Sequence, residues 1–250
     1  MLRKENFVIG EYYHIYSRTL LNIPEFQNKD TARKLAQTFL HANSTKSSQA
    51  FGYLRNNIKT SLENALEISK SGEKLTEILC YAIMPNHYHV LAKEIREKGI
   101  TDFARKCNTS IAKYINTKTG RKGPLFESKF KSKRVDSNKY LLHLATYIHL
   151  NPLDFLENKD WRKNKINNWG ESKKKLLNYP WSSIKCFINN PSSSSTQDFD
   201  EDIYSNIVSG TKTITDQFNG NVKNEYENFL QEWSGSDYSS TPDFDEEKGS

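Results

Sequence analysis

Two histidines one residue apart, His87 and His89, are the first residues of this 250-residue chain whose type and spacing can do chemistry. On a β-strand, side chains alternate between faces, so both imidazoles share one face and Tyr88 takes the other. Two neutral imidazoles can hold a divalent cation, but they need a further oxygen or nitrogen donor from elsewhere in the fold. Alone, the pair equally fits two hydrogen-bonded strand histidines. A second candidate group lies in Thr146-Tyr147-Ile148-His149-Leu150-Asn151-Pro152, where Tyr147 and Asn151 are four residues apart and so share a helix face. Tyr147 could be a nucleophile and Asn151 the third donor to a metal. The plainer alternative for Tyr147 is a core aromatic with its hydroxyl satisfied at the rim. His143 lies one turn before Tyr147, and His149 points away from it.

A third group is basic. Arg121, Lys122, Lys129, Lys131, Lys133 and Arg134 interleave with Phe126 and Phe130, and Arg3, Lys4 and Arg18 lie near the first expected strand. Such a ribbon can follow phosphates while its rings stack on unpaired bases; a solvated ribbon with two core phenylalanines is the alternative.

The elements that must position these groups can be read from periodicity. Tyr12-Tyr13-His14-Ile15-Tyr16-Ser17 reads as a strand, and Asn28-Lys29-Asp30 supplies the N-cap of a helix carrying Ala32, Leu35, Ala36, Phe39 and Leu40 at helical spacing. Residues 42–74 are polar and read as an insertion with a weak helical pattern. Ile78–Met84 and Tyr88–Ala92 form a hairpin around Pro85-Asn86. A helix capped by Thr101 ends at Gly120, residues 125–135 are extended, and a helix capped at Asp136 or Ser137 stops before Pro152. This order predicts an α+β protein with helices over an antiparallel sheet.

Charge divides the chain. Residues 1–190 hold 33 Lys+Arg against 17 Asp+Glu, and residues 191–250 hold 3 against 13. The basic part suits a polyanion, and equally a merely soluble surface. Ser192–Ser195 and Thr196 read as a linker within 191–202, with residues 234–250 expected to be disordered. Two regions follow: a domain over 1–190 with an insertion near 42–74, and a linker with an acidic tail over 191–250. No apolar run is long enough for a membrane helix, and the start lacks the apolar core of a secretory signal. Cys80, Cys107 and Cys186 have neither disulfide-scaffold nor zinc-finger spacing. A soluble, cytoplasmic protein in a reducing compartment is expected.

The stretches Met84-Pro85-Asn86-His87-Tyr88-His89-Val90, Gly123-Pro124-Leu125-Phe126, Lys129-Phe130-Lys131, Tyr140-Leu141-Leu142 and Tyr147 to Pro152, with Tyr12 to Arg18 and Tyr179-Pro180-Trp181-Ser182-Ser183, together resemble the single-tyrosine HUH transposases. More narrowly they are similar to the REP-associated tyrosine transposase branch, over roughly residues 7–190. The resemblance implies a ferredoxin-like antiparallel sheet with helices on one face. It implies metal ligands at His87, His89 and Asn151, a nucleophile at Tyr147, and Mg²⁺ or Mn²⁺ as cofactor. The implied partner is single-stranded DNA bearing REP-like or element-end hairpins, for which Arg18, Arg121, Lys122, Lys129, Lys131, Lys133 and Arg134 are the candidate contacts, and the implied location of the protein is the bacterial cytoplasm, associated with the nucleoid. The implied reaction is metal-dependent strand cleavage and transfer through a 5′-phosphotyrosine, by a monomer or a homodimer. A replication-initiator or relaxase-type nickase shares this chemistry, and a domesticated hairpin binder without turnover is the reading from another class. The insertion and the acidic tail depart from the compact members of the family.

Overall fold

The computed structural model describes residues 6–47, 51, 59–156, 159–188, 206–218 and 221–235. Its frame is a four-stranded antiparallel sheet in the order β2-β3-β1-β4, built from β1 (Tyr12–Arg18), β2 (Thr76–Ile83), β3 (His87–Glu94) and β4 (Lys131–Val135). With α1 (Lys29–Ala42) between β1 and β2, and α3 (Gly99–Thr119) between β3 and β4, this is the ferredoxin-like arrangement. A further helix, α2 (Lys59–Lys70), lies within the expected insertion and packs on α1; its Leu66 is buried and its Ile68 exposed.

Local chemistry sets the element ends. Asn28 Oδ1 accepts from the Thr31 N–H at 3.1 Å and starts α1, as its sequence position suggests. α3 begins two residues before the expected Thr101 cap. The buried Glu94 carboxylate accepts from the Ile100 N–H at 2.7 Å, and an acidic group at a helix N-terminus satisfies both an orphan donor and the dipole. Of the expected 125–135 ribbon, only Lys131–Val135 pairs as a strand; Phe126 makes a single bridge to Thr19 and turns into the core.

Alternation divides the sheet into two faces. Tyr13, Ile15, Ser17, Tyr88 and Val90 point toward α1 and α3, where Phe39 meets Tyr81 and Tyr88 edge-on at ring separations of 5.6 and 5.2 Å. Each fully buried side chain of this size contributes about 1.5–3 kcal/mol. Asn108 of α3 ties this layer together, accepting from the Tyr88 hydroxyl at 2.8 Å and donating to Ser17 Oγ at 2.9 Å and to the Lys129 carbonyl. The opposite face carries His14, Tyr16, His87 and His89, and α4 (Asn138–Leu150) lies across it, so the sheet is covered on both sides. Ser137 Oγ caps α4 through the Tyr140 N–H at 3.2 Å. α5 (Leu153–Leu156) and α6 (Trp169–Asn178) follow.

The packed body does not end at residue 190. Residues 206–210, α7 (Thr211–Thr215) and α8 (Val222–Trp233) lie against β2 and α4, burying Ile207, Ile214, Tyr226 and Leu230. A β-bulge between Ile78 and Cys80 leaves the Ile78 carbonyl facing outward, and it accepts from the Ser209 and Gly210 N–H groups at 2.9 and 3.0 Å. A Cβ on Gly210 would stand 2.9 Å from both Glu77 Cγ and Leu79 Cδ1, so this approach needs glycine. Further along the same edge the Ile83 N–H donates to the Trp181 carbonyl at 2.8 Å. The edge strand is thereby closed to other chains. Charge hid this in the sequence: the tail is acidic overall, but its apolar residues recur at helical spacing. Ser234, expected to be disordered, is buried. The expected linker 191–202, residues 236–250, and Arg3 and Lys4 lie outside the described residues.

Candidate active site

β1 and β3 are central neighbours in the sheet, paired so that Tyr16 faces His89 and Arg18 faces His87. The two rings of the His87–His89 pair are 4.8 Å apart and nearly perpendicular. Asn86 Oδ1 is 2.7 Å from His87 Nδ1, which makes Nδ1 the donor and leaves the lone pair on Nε2. His89 Nδ1 lies 2.8 Å from Nε2 of the buried His14, one of the two donating to the other. His89 Nε2 is buried with no hydrogen-bond partner among the described residues.

Burial keeps these imidazoles neutral. The pKa of His87 falls to about 3, first through desolvation and then through the charges of Arg18 and Arg162. That of His14 also falls to about 3, through burial and then Lys133 and His87, and His89 is pushed well below its usual range by burial and then by His87, His14, Arg162 and Arg18. A neutral imidazole is the form that ligates metals.

α4 brings Tyr147 to this pair within the same chain. Its ring is buried, 5.6 Å from the His89 ring and edge-on to it. One turn on, Asn151 closes the helix with its N–H on the Tyr147 carbonyl at 2.9 Å. Its side chain is fully buried, and neither Oδ1 nor Nδ2 has a partner among the described residues. Orphaned buried amides are costly, at about 1–3 kcal/mol each, and are ordinarily completed by an ordered water, an ion or a ligand. Among the described residues no three His, Cys, Asp or Glu side chains form a metal-holding group, so a cation here depends on an amide as well as imidazoles. His87 Nε2, His89 Nε2 and Asn151 Oδ1 suit a hard divalent ion that keeps open positions for phosphate oxygen.

His149 does turn away from Tyr147. Its Nδ1 is 2.7 Å from the Tyr226 hydroxyl and its Nε2 2.9 Å from Ser183 Oγ. The His143 ring centre is 3.3 Å from that of Trp233. Both histidines therefore anchor α4 to later parts of the chain.

The basic residues separate. Arg18, Lys131 and Lys133 lie on the histidine face, Lys131 opposite Tyr16 and Lys133 opposite His14. Arg134 is on the other face, paired with Glu11 at 3.1 Å. Arg121 is committed to Glu25 at 3.2 Å and to the Pro124 carbonyl at 2.9 Å. Lys122 and Lys129 are exposed. Phe126 packs between Phe26 and Tyr88, which settles it as core, while the half-buried Phe130 stacks on Phe7 at 6.5 Å.

Three residues near the site were not singled out from the sequence. His14 and Asn86 orient the imidazoles, and His14 was foreshadowed only by its place on β1. Arg162, in the turn after α5, donates to the Tyr147 hydroxyl at 3.4 Å. No spacing rule reaches it, because that turn is brought back by tertiary packing.

The antiparallel sheet thus presents a histidine pair to a buried helix tyrosine. Residues 28–151, just under half of the chain, match the family model described as IS200-like transposase. The match includes His87, His89, Tyr147 and Asn151; β1 and Arg162 lie outside it. A solved structure of a REP-associated tyrosine transposase bound to a REP hairpin is 12% identical, covering 73% of this chain and 82% of that one at a TM-score of 0.44. No curated protein sequence matches the chain. No helix among the described residues is long and apolar enough to cross a membrane.

Proposed function

We propose that this protein cleaves and rejoins single-stranded DNA beside a hairpin, through a covalent 5′-phosphotyrosine at Tyr147. The observation that carries this reading is the meeting of Tyr147 with the neutral His87–His89 pair within one chain, with Asn151 one helical turn on, its buried amide without a partner among the described residues. In the reaction the phenol loses its proton and its oxygen attacks the scissile phosphorus. The bond from phosphorus to the 3′ oxygen breaks, and that oxygen leaves as a 3′-OH. Because one phosphoester replaces another, a 3′-OH can attack the adduct in reverse and rejoin a strand. Mg²⁺ or Mn²⁺ at His87, His89 and Asn151 would polarise the phosphodiester and offset its developing charge. Arg18, Lys131 and Lys133 line the same face and suit the approach of a phosphate backbone. The hairpin rests on the motif resemblance and defines the substrate class.

Incubation with Mg²⁺ or Mn²⁺ and a single-stranded hairpin oligonucleotide should give an adduct that survives denaturation. Tyr147→Phe should remove the adduct and leave hairpin affinity within about twofold. Tight hairpin binding with no adduct in the unmodified protein would replace this reading with a binding protein.

A further inference from the structure

Arg162 is the residue outside the histidine face that touches the tyrosine oxygen. Its Nη2 is 3.4 Å from Tyr147 Oη, and the guanidinium carbon is 5.0 Å from the centre of the Tyr147 ring. The side chain is held on its other edge by Asp154, whose Oδ1 accepts from Nε at 3.2 Å and whose Oδ2 accepts from Nη2 at 2.5 Å. Trp161 Nε1 donates to the same Asp154 Oδ1 at 2.6 Å, fixing the carboxylate in turn. The Arg162 and Asp154 side chains are only 17% and 19% exposed.

A pair this buried loses hydration on both partners and often adds little stability, so its placement against the tyrosine oxygen calls for a reason other than stability. A guanidinium is always charged and planar, and its fork matches phosphate oxygens. Arg162 also shares its electrostatic neighbourhood with Arg18: both act on His87 and on His89. The two cations come from different elements, β1 and the turn after α5. The backbone holds that turn: the Trp161 carbonyl accepts from the Gly235 N–H at 2.7 Å, and the Ile166 N–H donates to Ser234 Oγ at 3.0 Å. Gly235 has φ of 79°, and a Cβ there would stand 2.3 Å from Lys165 N.

We propose that Arg162 is the phosphate-binding cation of this site, holding Tyr147 Oη in line and contacting the scissile phosphodiester as it is attacked. The proposal rests on the strand-transfer reading above and adds no chemical step to it. Asp154 and Trp161 act through Arg162 and are positioning residues. The ligand class is a phosphodiester of single-stranded DNA.

The test compares adduct formation in Asp154→Asn with that in Asp154→Asn/Arg162→Gln, because the double variant strands no buried carboxylate. The double variant should form the Tyr147 adduct about 100–1,000-fold more slowly at saturating hairpin oligonucleotide, the range for removing one preorganised donor to a reacting oxyanion. Its melting temperature should match that of Asp154→Asn. Arg162→Ala in the otherwise unmodified chain should regain part of its adduct rate when millimolar guanidinium is added, a response that a purely structural role would not give. An undiminished rate in the double variant, or a loss that follows melting temperature and ignores guanidinium, would overturn the role of Arg162. Absence of any Tyr147 adduct in the unmodified protein would instead remove the strand-transfer reading on which it rests.

Discussion

The two halves of the site are held in different ways. The histidine pair sits on β3, hydrogen-bonded to β2 on one side and β1 on the other, and its orienting groups are near: Asn86 is adjacent in sequence and His14 is on the neighbouring strand. The tyrosine helix has no ladder. Its rotation over the sheet is fixed by partners far along the chain, Ser183 and Tyr226 on His149 and Trp233 on His143. The histidine half is thus specified by strand register, whereas the tyrosine half is specified by the C-terminal part of the chain. The acidic charge of that part conceals a packing role.

Truncation after residue 205 should have the largest effect. It uncovers β2 and α4 and removes Tyr226 and Leu230 from the core, so cooperative thermal unfolding should be lost. A soluble, fully active truncation would show that the C-terminal segment is dispensable, as its charge alone suggested. His87→Ala comes next: metal-dependent adduct formation should fall below detection with the fold intact, and undiminished cleavage would take the pair out of the site. His14→Phe should weaken Mn²⁺ dependence by about 10–100-fold, the usual effect of losing a group that orients a ligand histidine. An unchanged metal titration would make the His14–His89 contact incidental.

Tyr226→Phe strips the buried His149 Nδ1 of its partner and should cost about 1–3 kcal/mol. Melting temperature should fall by roughly 2–4 °C per kcal/mol for a chain of this size, with adduct chemistry less affected than stability. The remaining effect has the opposite sign. Lys34 of α1 is fully buried against the Phe51 ring, 3.8 Å from its centre, and desolvation lowers its pKa to about 7. Its unfolded value is 10.5, so between pH 7 and 10.5 the unfolded chain binds more protons and stability should rise with pH. Lys34→Met should stabilise at pH 7 and flatten that rise, as followed by urea denaturation at pH 7 and 9.5.

Much of the frame was legible in the sequence for identifiable reasons. The alternation in Tyr12–Ser17 and around Pro85-Asn86 marked the central strands, and the Asn28 and Ser137 caps marked two helix starts correctly. The period of two placed both histidines on one face, and the four-residue spacing placed Asn151 one turn beyond Tyr147. The α3 start was missed because its cap is Glu94, from the preceding strand rather than the expected Thr101. The basic ribbon divides in a way that charge does not show: Arg121 pairs with Glu25, and Arg134 lies on the sheet face away from the histidines. Arg162 and the covering role of residues 206–235 were hidden because both depend on contacts between distant segments.

The central claim is that Tyr147 and the histidine pair form one catalytic site. The most direct measurement is proteolysis and mass spectrometry of the protein after reaction with Mn²⁺ and a single-stranded hairpin oligonucleotide. A nucleotide 5′-phosphate attached to the peptide bearing Tyr147, and lost in His87→Ala, is the expected result. Attachment to another tyrosine, or an adduct that forms equally well in His87→Ala, would contradict the account.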